Sequence, residues 1–289
     1  MKGIILAGGT GSRLFPTTLA VNKHLLPVYD KPMIYYSLAK LLLLGIKDIA
    51  IICRKEDVQS FQSILSRIIK LGVNIKFLTQ NKPNGLPEAF LIAEDFIGSD
   101  EVMLILGDNI LYGNQLHIEL AEGVVQQSGA VVFAYRVANP SSFGVVEFDK
   151  SGTICSIEEK PKNPKSNFAL VGLYKFDNSV SQFARDLKPS ARGETEIVDL
   201  MKIYLANQNL KVKIIGRGNT WLDTGTPKSL LDAAQFVETI ESRQGYNIAC
   251  LEEICLRKGY IDKYTLRSVM PKECKTSYDK YILEVLNEI

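Results

Sequence analysis

The residues best suited to chemistry stand at the start of the chain. Leu6-Ala7-Gly8-Gly9-Thr10-Gly11-Ser12-Arg13 closes an apolar run with three glycines and a cation, and Lys23 follows ten residues beyond the arginine. Glycine admits positive φ and leaves no Cβ between backbone amides and a ligand. Consecutive N–H groups in such a turn make a concave anion site, and a guanidinium grips phosphate oxygens in pairs. The turn therefore points to phosphate binding, against the plainer reading of a tight strand-to-helix connection. It is not a dinucleotide fingerprint: Leu14 stands where a third glycine would let helix and strand pack closely. The following strand ends in Cys53-Arg54, with no acid for a ribose hydroxyl. Nor does a Gly-Lys-Ser/Thr close the turn as in a Walker loop.

Two further places carry chemistry. Gly107-Asp108-Asn109 follows the apolar run Val102–Leu106. An aspartate there is either the N-cap of a helix or one of the one or two carboxylates that hold Mg²⁺ while phosphate oxygens and water complete its shell. Gln80-Asn81-Lys82-Pro83-Asn84-Gly85-Leu86-Pro87 reads as a proline-bent surface connection or as a base-recognition loop. A glutamine amide offers one donor and one acceptor, which complement the edge of thymine or uracil.

Composition narrows the class. The chain has 289 residues, 46% hydrophobic and 23% charged, as in a globular protein with a full core. A net charge of +2 argues against a broad nucleic-acid surface, so any basic site is local. No apolar run, Leu41–Leu44 included, approaches the roughly 20 residues that span a membrane. The N-terminus shows none of the features of a signal peptide. Five scattered cysteines and two distant histidines make a poor zinc or disulfide framework. A cytoplasmic protein with reduced thiols is expected.

The elements that must position these groups are legible as a βα rhythm. Asp30 and Pro32 read as a helix start, with Met33 to Leu44 apolar at helical spacing. A strand over 48–52, a helix near 57–70, a strand over 73–79, a helix near 88–96 and the buried strand 102–106 follow. Such alternation predicts a mostly parallel sheet covered on both faces, with ligands at the carboxyl ends of the strands. After Val131–Arg136 the rhythm changes: Phe143–Asp149 and Thr153–Ile157 alternate as a hairpin around Lys150-Ser151-Gly152. Phe168–Phe176 is a further strand with Gly172 at its middle, where interior glycine often marks close approach by a ligand. A helix to about Ala206, a strand at 212–215, the turn Trp221–Thr226 and an amphipathic helix from Pro227 to about Ser242 complete the pattern, and the remaining tail reads as helices.

Taken together, Leu6–Leu14, Pro16 and Lys23–Val28 resemble the signature of sugar-1-phosphate nucleotidyltransferases, and Pro27–Tyr36 resembles its glucose-1-phosphate thymidylyltransferase branch. The similarity runs in order through the whole chain. It implies an α/β, three-layer, Rossmann-like nucleotide-diphospho-sugar transferase fold with an inserted antiparallel sugar-binding portion. It implies Mg²⁺-dependent transfer of deoxythymidylate from dTTP to glucose 1-phosphate, which opens dTDP-deoxysugar (for example dTDP-rhamnose) synthesis. By the same resemblance Leu6, Gly8, Gly9, Thr10, Gly11, Ser12, Arg13, Gln80, Pro83, Gly85 and Asp108 bind the nucleotide. Asn109, Gly144, Glu159, Lys160, Gly172 and Arg192 bind the sugar phosphate. Asp108 and Asp223 hold the metal, and Arg13, Lys23, Asp108, Lys160 and Asp223 carry catalysis.

The resemblance divides the chain into a catalytic core, 1–226, and a helical C-terminal region, 227–289. The core comprises a nucleotide part (about 1–136) and a sugar-phosphate part (about 137–226). The C-terminal region is expected to support a homotetramer and a second, regulatory nucleotide-sugar site; the plainer alternative is that its helices only cover the sheet. Departures from the family pattern are Phe143 for tyrosine, Val171 for threonine, Glu88 for glutamine and Leu251 for proline. A uridylyltransferase, or a non-catalytic sensor of the same fold, are the competing readings. Nucleic acid and membranes are not expected partners.

Overall fold

The computed structural model describes residues 1–124 and 128–288. The chain opens with β1 (Lys2–Leu6), a short ribbon of β2 (Pro27–Val28) and β3 (Lys31–Pro32), α1 (Ile34–Leu43), β4 (Asp48–Cys53), α2 (Val58–Leu65) and β5 (Asn74–Thr79). Next come α3 (Glu88–Ile92), α4 (Glu94–Ile97), β6 (Val102–Leu106), β7 (Asn109–Tyr112), α5 (Leu116–Val124) and β8 (Ala130–Arg136). β9 (Gly144–Phe148), β10 (Ile154–Glu159), β11 (Phe168–Phe176), α6 (Val180–Arg185), α7 (Ile197–Ala206), β12 (Leu210–Ile214) and β13 (Thr220–Asp223) follow. The tail is helical: α8 (Pro227–Gln244), α9 (Leu251–Arg257), α10 (Lys263–Val269) and α11 (Ser277–Glu288).

Nine strands form one sheet in the order β10-β9-β11-β6-β1-β4-β5, with β8 paired to β11 and β12. β6, β1, β4 and β5 are parallel, whereas β11 runs antiparallel to β6, β8 and β9. The expected switch from a parallel to an antiparallel regime is thus present, and it falls at the β6–β11 boundary.

Alternation along the central strands feeds two cores. Ile5, Ile49, Ile51, Met103 and Ile105 face Leu38, Leu42, Phe61 and Leu65, together with Leu251, Cys255, Leu266 and Ile282 of the tail. Ile4, Ile52 and Leu104 face Phe90, Val180, Leu200 and Met201. Both faces are therefore dry, as a parallel sheet requires. The tail helices serve as part of one covering layer, and the Tyr260 hydroxyl donates to the Leu42 carbonyl at 2.6 Å.

Several local expectations are corrected. Asp30 does not cap α1: it lies in the β2–β3 turn, and its carboxylate takes the Lys31 ammonium at 2.5 Å. Lys31 is 3% exposed and also pairs with Glu241 of α8 at 2.9 Å. The helix expected to reach Lys70 stops at Leu65, where Ser63 and Ser66 hydroxyls donate to the carbonyls of Gln59 and Ser63, a competition that weakens helices. The helix near 88–96 is broken at Ala93, for which the packing offers no evident cause. The second hairpin strand runs past the expected Ile157, so Glu158 and Glu159 end β10.

Candidate active site

The functional groups gather at the carboxyl ends of β1, β5 and β6. Ala7 N–H still donates to the Ile52 carbonyl at 2.8 Å, and Gly8, Gly9 and Gly11 then leave the sheet edge. Gly11 takes φ 64° and starts the 3₁₀ turn that carries Ser12 and Arg13. Beneath the turn lies a buried polar cluster that sequence reasoning missed. The Asn22 amide donates to the Ala7 carbonyl (2.9 Å) and to Asp57 (2.7 Å), and Asp57 in turn holds Arg54. Asn22 Oδ1 caps the next turn through the His24 N–H at 2.9 Å. Lys23 and His24 are thereby fixed against the glycine loop. The only sequence signal for this was their adjacency to a polar Asn22.

Lys23 reaches across to Asp108, and the two form an ion pair with each side chain 13% exposed. Asp108 Oδ1 also accepts from the Asn109 amide at 3.0 Å. Burial alone would raise the Asp108 carboxyl, but Lys23, helped by its hydrogen bond and that of Asn109, holds it down at about 2. Burial and the neighbouring Lys23 depress the His24 imidazole to about 3, so the ring is neutral.

Asp223 arrives from far along the chain. The β7–β13 ribbon pairs Asp223 with Asn109 and Trp221 with Leu111, and Thr224 clasps the Asp108 carbonyl through its N–H (3.1 Å) and hydroxyl (2.8 Å). Burial raises the Asp223 carboxyl and the Asp108 charge raises it further, with Arg13 opposing. Asn109 is engaged on several sides: its Oδ1 accepts from Trp221 Nε1 at 2.6 Å and from Gly172 N–H at 3.1 Å. At Gly172, where β11 slips register against β8 between Leu170 and Tyr174, an added Cβ would lie 2.7 Å from Leu106.

Two clefts meet at Asp108. The first, about 200 Å³, is lined by Leu6, Gly8, Gly9, Lys23, Gln80 and Gly85, with Pro83 and His24 beside them. The second, about 590 Å³, lies over the antiparallel strands and is lined by Asn109, Gly144, Glu159, Lys160, Gly172 and Arg192, with Asp223 and Trp221. Asp108, Leu86, Leu106 and Glu194 line both. Ser12 and Arg13 border the second cleft, next to Gly225 and Asp223, and not the first. Thr10 (exposed) and Gly11 line neither.

Within the second cleft Lys160 takes a left-handed backbone (φ 44°). It pairs with Glu159 at 3.6 Å. Arg192 reaches Glu159 at 3.4 Å and Glu196 at 3.5 Å. The loops that border the two clefts are joined, because the Asn84 carbonyl accepts from Thr195 N–H at 2.8 Å. Gly85 has φ 116° and sits against the Thr195 backbone, where a Cβ has no room.

The site geometry suits a divalent cation held jointly with ligand phosphates. Asp108 sits where the clefts meet, and Asp223, whose ionisation the Asp108 charge opposes, lines the second. No cluster of three or more acidic, histidine or cysteine groups that would hold a metal alone occurs among the described residues.

A glycine loop, a lysine–aspartate pair and a sugar-sized second cleft on this sheet define a nucleotidyl transfer fold. The family model for nucleotidyl transferases matches residues 2–240, and the chain belongs to that family. Its relatives include the glucose-1-phosphate thymidylyltransferase of Neisseria meningitidis serogroup A, 51% identical with all of both chains covered. That of Mycolicibacterium smegmatis is 50% identical over 99% of each. A Bacillus anthracis crystal structure described as a glucose-1-phosphate thymidylyltransferase, in complex with sucrose, superposes with TM-score 0.75. It is 43% identical and covers 82% of this chain and 94% of that one. A UDP-glucose pyrophosphorylase complexed with UDP-glucose shares the fold at 22% identity, TM-score 0.74, covering 83% and 98%. Among the described residues no helix is long and apolar enough to cross a membrane.

Proposed function

We propose that the chain transfers deoxythymidylate from dTTP to α-D-glucose 1-phosphate, giving dTDP-glucose and pyrophosphate, the first step of dTDP-sugar synthesis. The observation that carries this reading is the meeting of a base-sized and a sugar-sized cleft at one aspartate, in a chain half identical to named thymidylyltransferases over its full length. Nucleotidyl transferases of this family generally work with a divalent metal. We take that metal to be Mg²⁺, held by Asp108 and Asp223; when bound, it neutralises phosphate charge around the reacting phosphorus.

The chain's own groups supply the rest. A sugar phosphate, with a second pKa of roughly 6, is largely dianionic at neutral pH and needs no general base. The protein has to align two anions and damp their repulsion. Leu6, Gly8, Gly9, Thr10, Gly11, Ser12 and Arg13 receive the nucleotide phosphates, with Gln80, Pro83 and Gly85 around the base. Lys23 moves from Asp108 to the charge that develops on transfer. Lys160 and Arg192 take the sugar phosphate, which frees Glu159 to accept sugar hydroxyls beside Asn109, Gly144 and Gly172. Neutral His24 shapes the pocket wall and adds no charge.

The division into a nucleotide part (about 1–136), a sugar-phosphate part (about 137–226) and a C-terminal region (227–289) belongs to the same reading. The last region is assigned a homotetramer and a regulatory nucleotide-sugar site. A cleft of about 500 Å³ between α1, α5 and α9 is the place proposed for the regulatory ligand, lined by Leu43, His117, Cys250, Glu253, Arg257 and Lys258. Lys258 and Arg257, the latter on leaving Glu253, would meet a diphosphate there. The enzyme is taken to be cytoplasmic, in keeping with five free cysteines. Pyrophosphate release across a panel of nucleoside triphosphates and sugar 1-phosphates tests the whole: the pairing of dTTP with glucose 1-phosphate should lead, and a lead by UTP or another sugar would displace it.

A further inference from the structure

We propose that Glu88 sets the orientation of the Gln80 amide, and through it the choice between pyrimidines that present a ring N–H and those that present a ring acceptor. The inference rests on the reading above in which Gln80 faces the base. Gln80 is 8% exposed and is seated at the end of β5 by its N–H bond to the Cys53 carbonyl at 2.9 Å. An unconstrained glutamine amide would show either its oxygen or its nitrogen to a ligand. Here Nε2 donates to Glu88 Oε2 at 2.6 Å. A carboxylate only accepts, so the amide cannot turn over without setting oxygen against oxygen.

Glu88 is itself held. Its Oε1 accepts from the Asn84 side-chain amide at 2.7 Å, and its Oε2 accepts from the Asn84 N–H at 3.3 Å. Gln80 Oε1 is left beside Gly8 on the wall of the first cleft, with no hydrogen-bond partner among the described residues. A Cβ at Gly8 would lie 2.5 Å from it, so the glycine preserves the space that the oxygen uses. The atom presented is therefore an acceptor. It complements N3–H of thymine or uracil and opposes N3 of cytosine, whose lone pair points back at it. Glutamine in place of Glu88 would offer both a donor and an acceptor, and Gln80 would be free to flip.

The test measures kcat/KM for dTTP, UTP and dCTP at saturating glucose 1-phosphate, with dCTP read by competition where turnover is slow. Wild type, Glu88→Gln, Gln80→Ala and the double variant are compared, with thermal melts of each. Glu88→Gln should lower the dTTP:dCTP ratio about tenfold, the scale of one misplaced buried hydrogen bond. The dTTP:UTP ratio should hold, because both bases carry the same imide. Gln80→Ala should lower the dTTP:dCTP ratio at least as far, and Glu88→Gln should add nothing to it, as expected of residues acting through one contact. Equal losses for dTTP and dCTP in Glu88→Gln, with Gln80→Ala still relaxing the ratio, would leave Gln80 as the reader and overturn the role of Glu88. An unchanged ratio in Gln80→Ala would remove base reading from Gln80, and the proposal with it.

Discussion

Asp223 stands opposite Asn109 in the β7–β13 ribbon, one position past Asp108, so a two-stranded pairing brings together carboxylates from distant parts of the chain. The two are unlike. Asp108 is held low by Lys23, whereas Asp223 is pushed up by burial and by Asp108. In metal-free protein at pH 7 they should therefore affect stability in opposite directions. Asp108 contributes stability that is present above its ordinary value of 3.8 and is lost as pH falls through about 2. Asp223 opposes folding once it ionises, so the stability tied to its protonated form is lost as pH rises through its raised value. Asp108→Asn should lower the melting temperature and Asp223→Asn should raise it, with the latter gain fading at acid pH. Both should lose most of kcat, because a metal contact to the transferring group is worth several kcal/mol. Near-normal turnover in both variants would refute the two-carboxylate site.

The cations should separate by substrate. Lys160→Ala and Arg192→Ala should weaken glucose 1-phosphate binding by about 1.5–3 kcal/mol each and leave dTTP affinity nearly intact. Arg13→Ala should do the reverse, although Arg13 borders the second cleft next to Asp223. Calorimetric titration of each variant with each substrate decides this. A loss of sugar-phosphate affinity in Arg13→Ala would move that guanidinium to the other side of the reaction.

The joined loops predict a shared defect. Gly85→Ala has to displace the Thr195 backbone and adopt φ 116°, a strain of order 1–3 kcal/mol. It should raise KM for both substrates, since the Thr195 loop carries Arg192. Gly172→Ala, which crowds Leu106 and Asn109, should raise KM for the sugar phosphate alone. Equal effects of the two substitutions on dTTP would break the distinction.

The tail makes a separate prediction. Light scattering should show four chains, and a deoxythymidine-diphospho-rhamnose titration should depress activity even at saturating substrate. Arg257→Ala with Lys258→Ala should abolish that inhibition with kcat unchanged. Inhibition that vanishes at high substrate would confine the inhibitor to the active site.

What the sequence made legible follows from what is local. Glycine spacing, the apolar run before Asp108 and the βα rhythm each lie within a few residues, and they yielded the parallel half of the sheet and the glycine turn at its edge. The partners of Asp223 and Asn109 did not, because antiparallel pairing across more than a hundred residues leaves no periodic trace. Neither did the Asn22–Asp57 cluster, since a buried asparagine reads like a loop residue until its acceptors are known. Asp30 and Pro32 read as a helix start because an acid followed closely by proline often is one, and nothing local shows that Lys31 between them is buried. Its second carboxylate, Glu241, arrives from a distant helix.

That burial bears on how far the protein can be cut back. Lys31 lies in the β2–β3 ribbon that follows Lys23, and its second countercharge comes from α8, past the last position covered by the family model at residue 240. A chain ended after Asp223 would keep every group assigned to the reaction and yet leave Lys31 with Asp30 alone, and removing one carboxylate from a buried ion pair costs several kcal/mol. Trimming the chain at the edge of its chemistry should therefore lower its stability, because the ammonium in the ribbon that follows Lys23 is neutralised in part from α8.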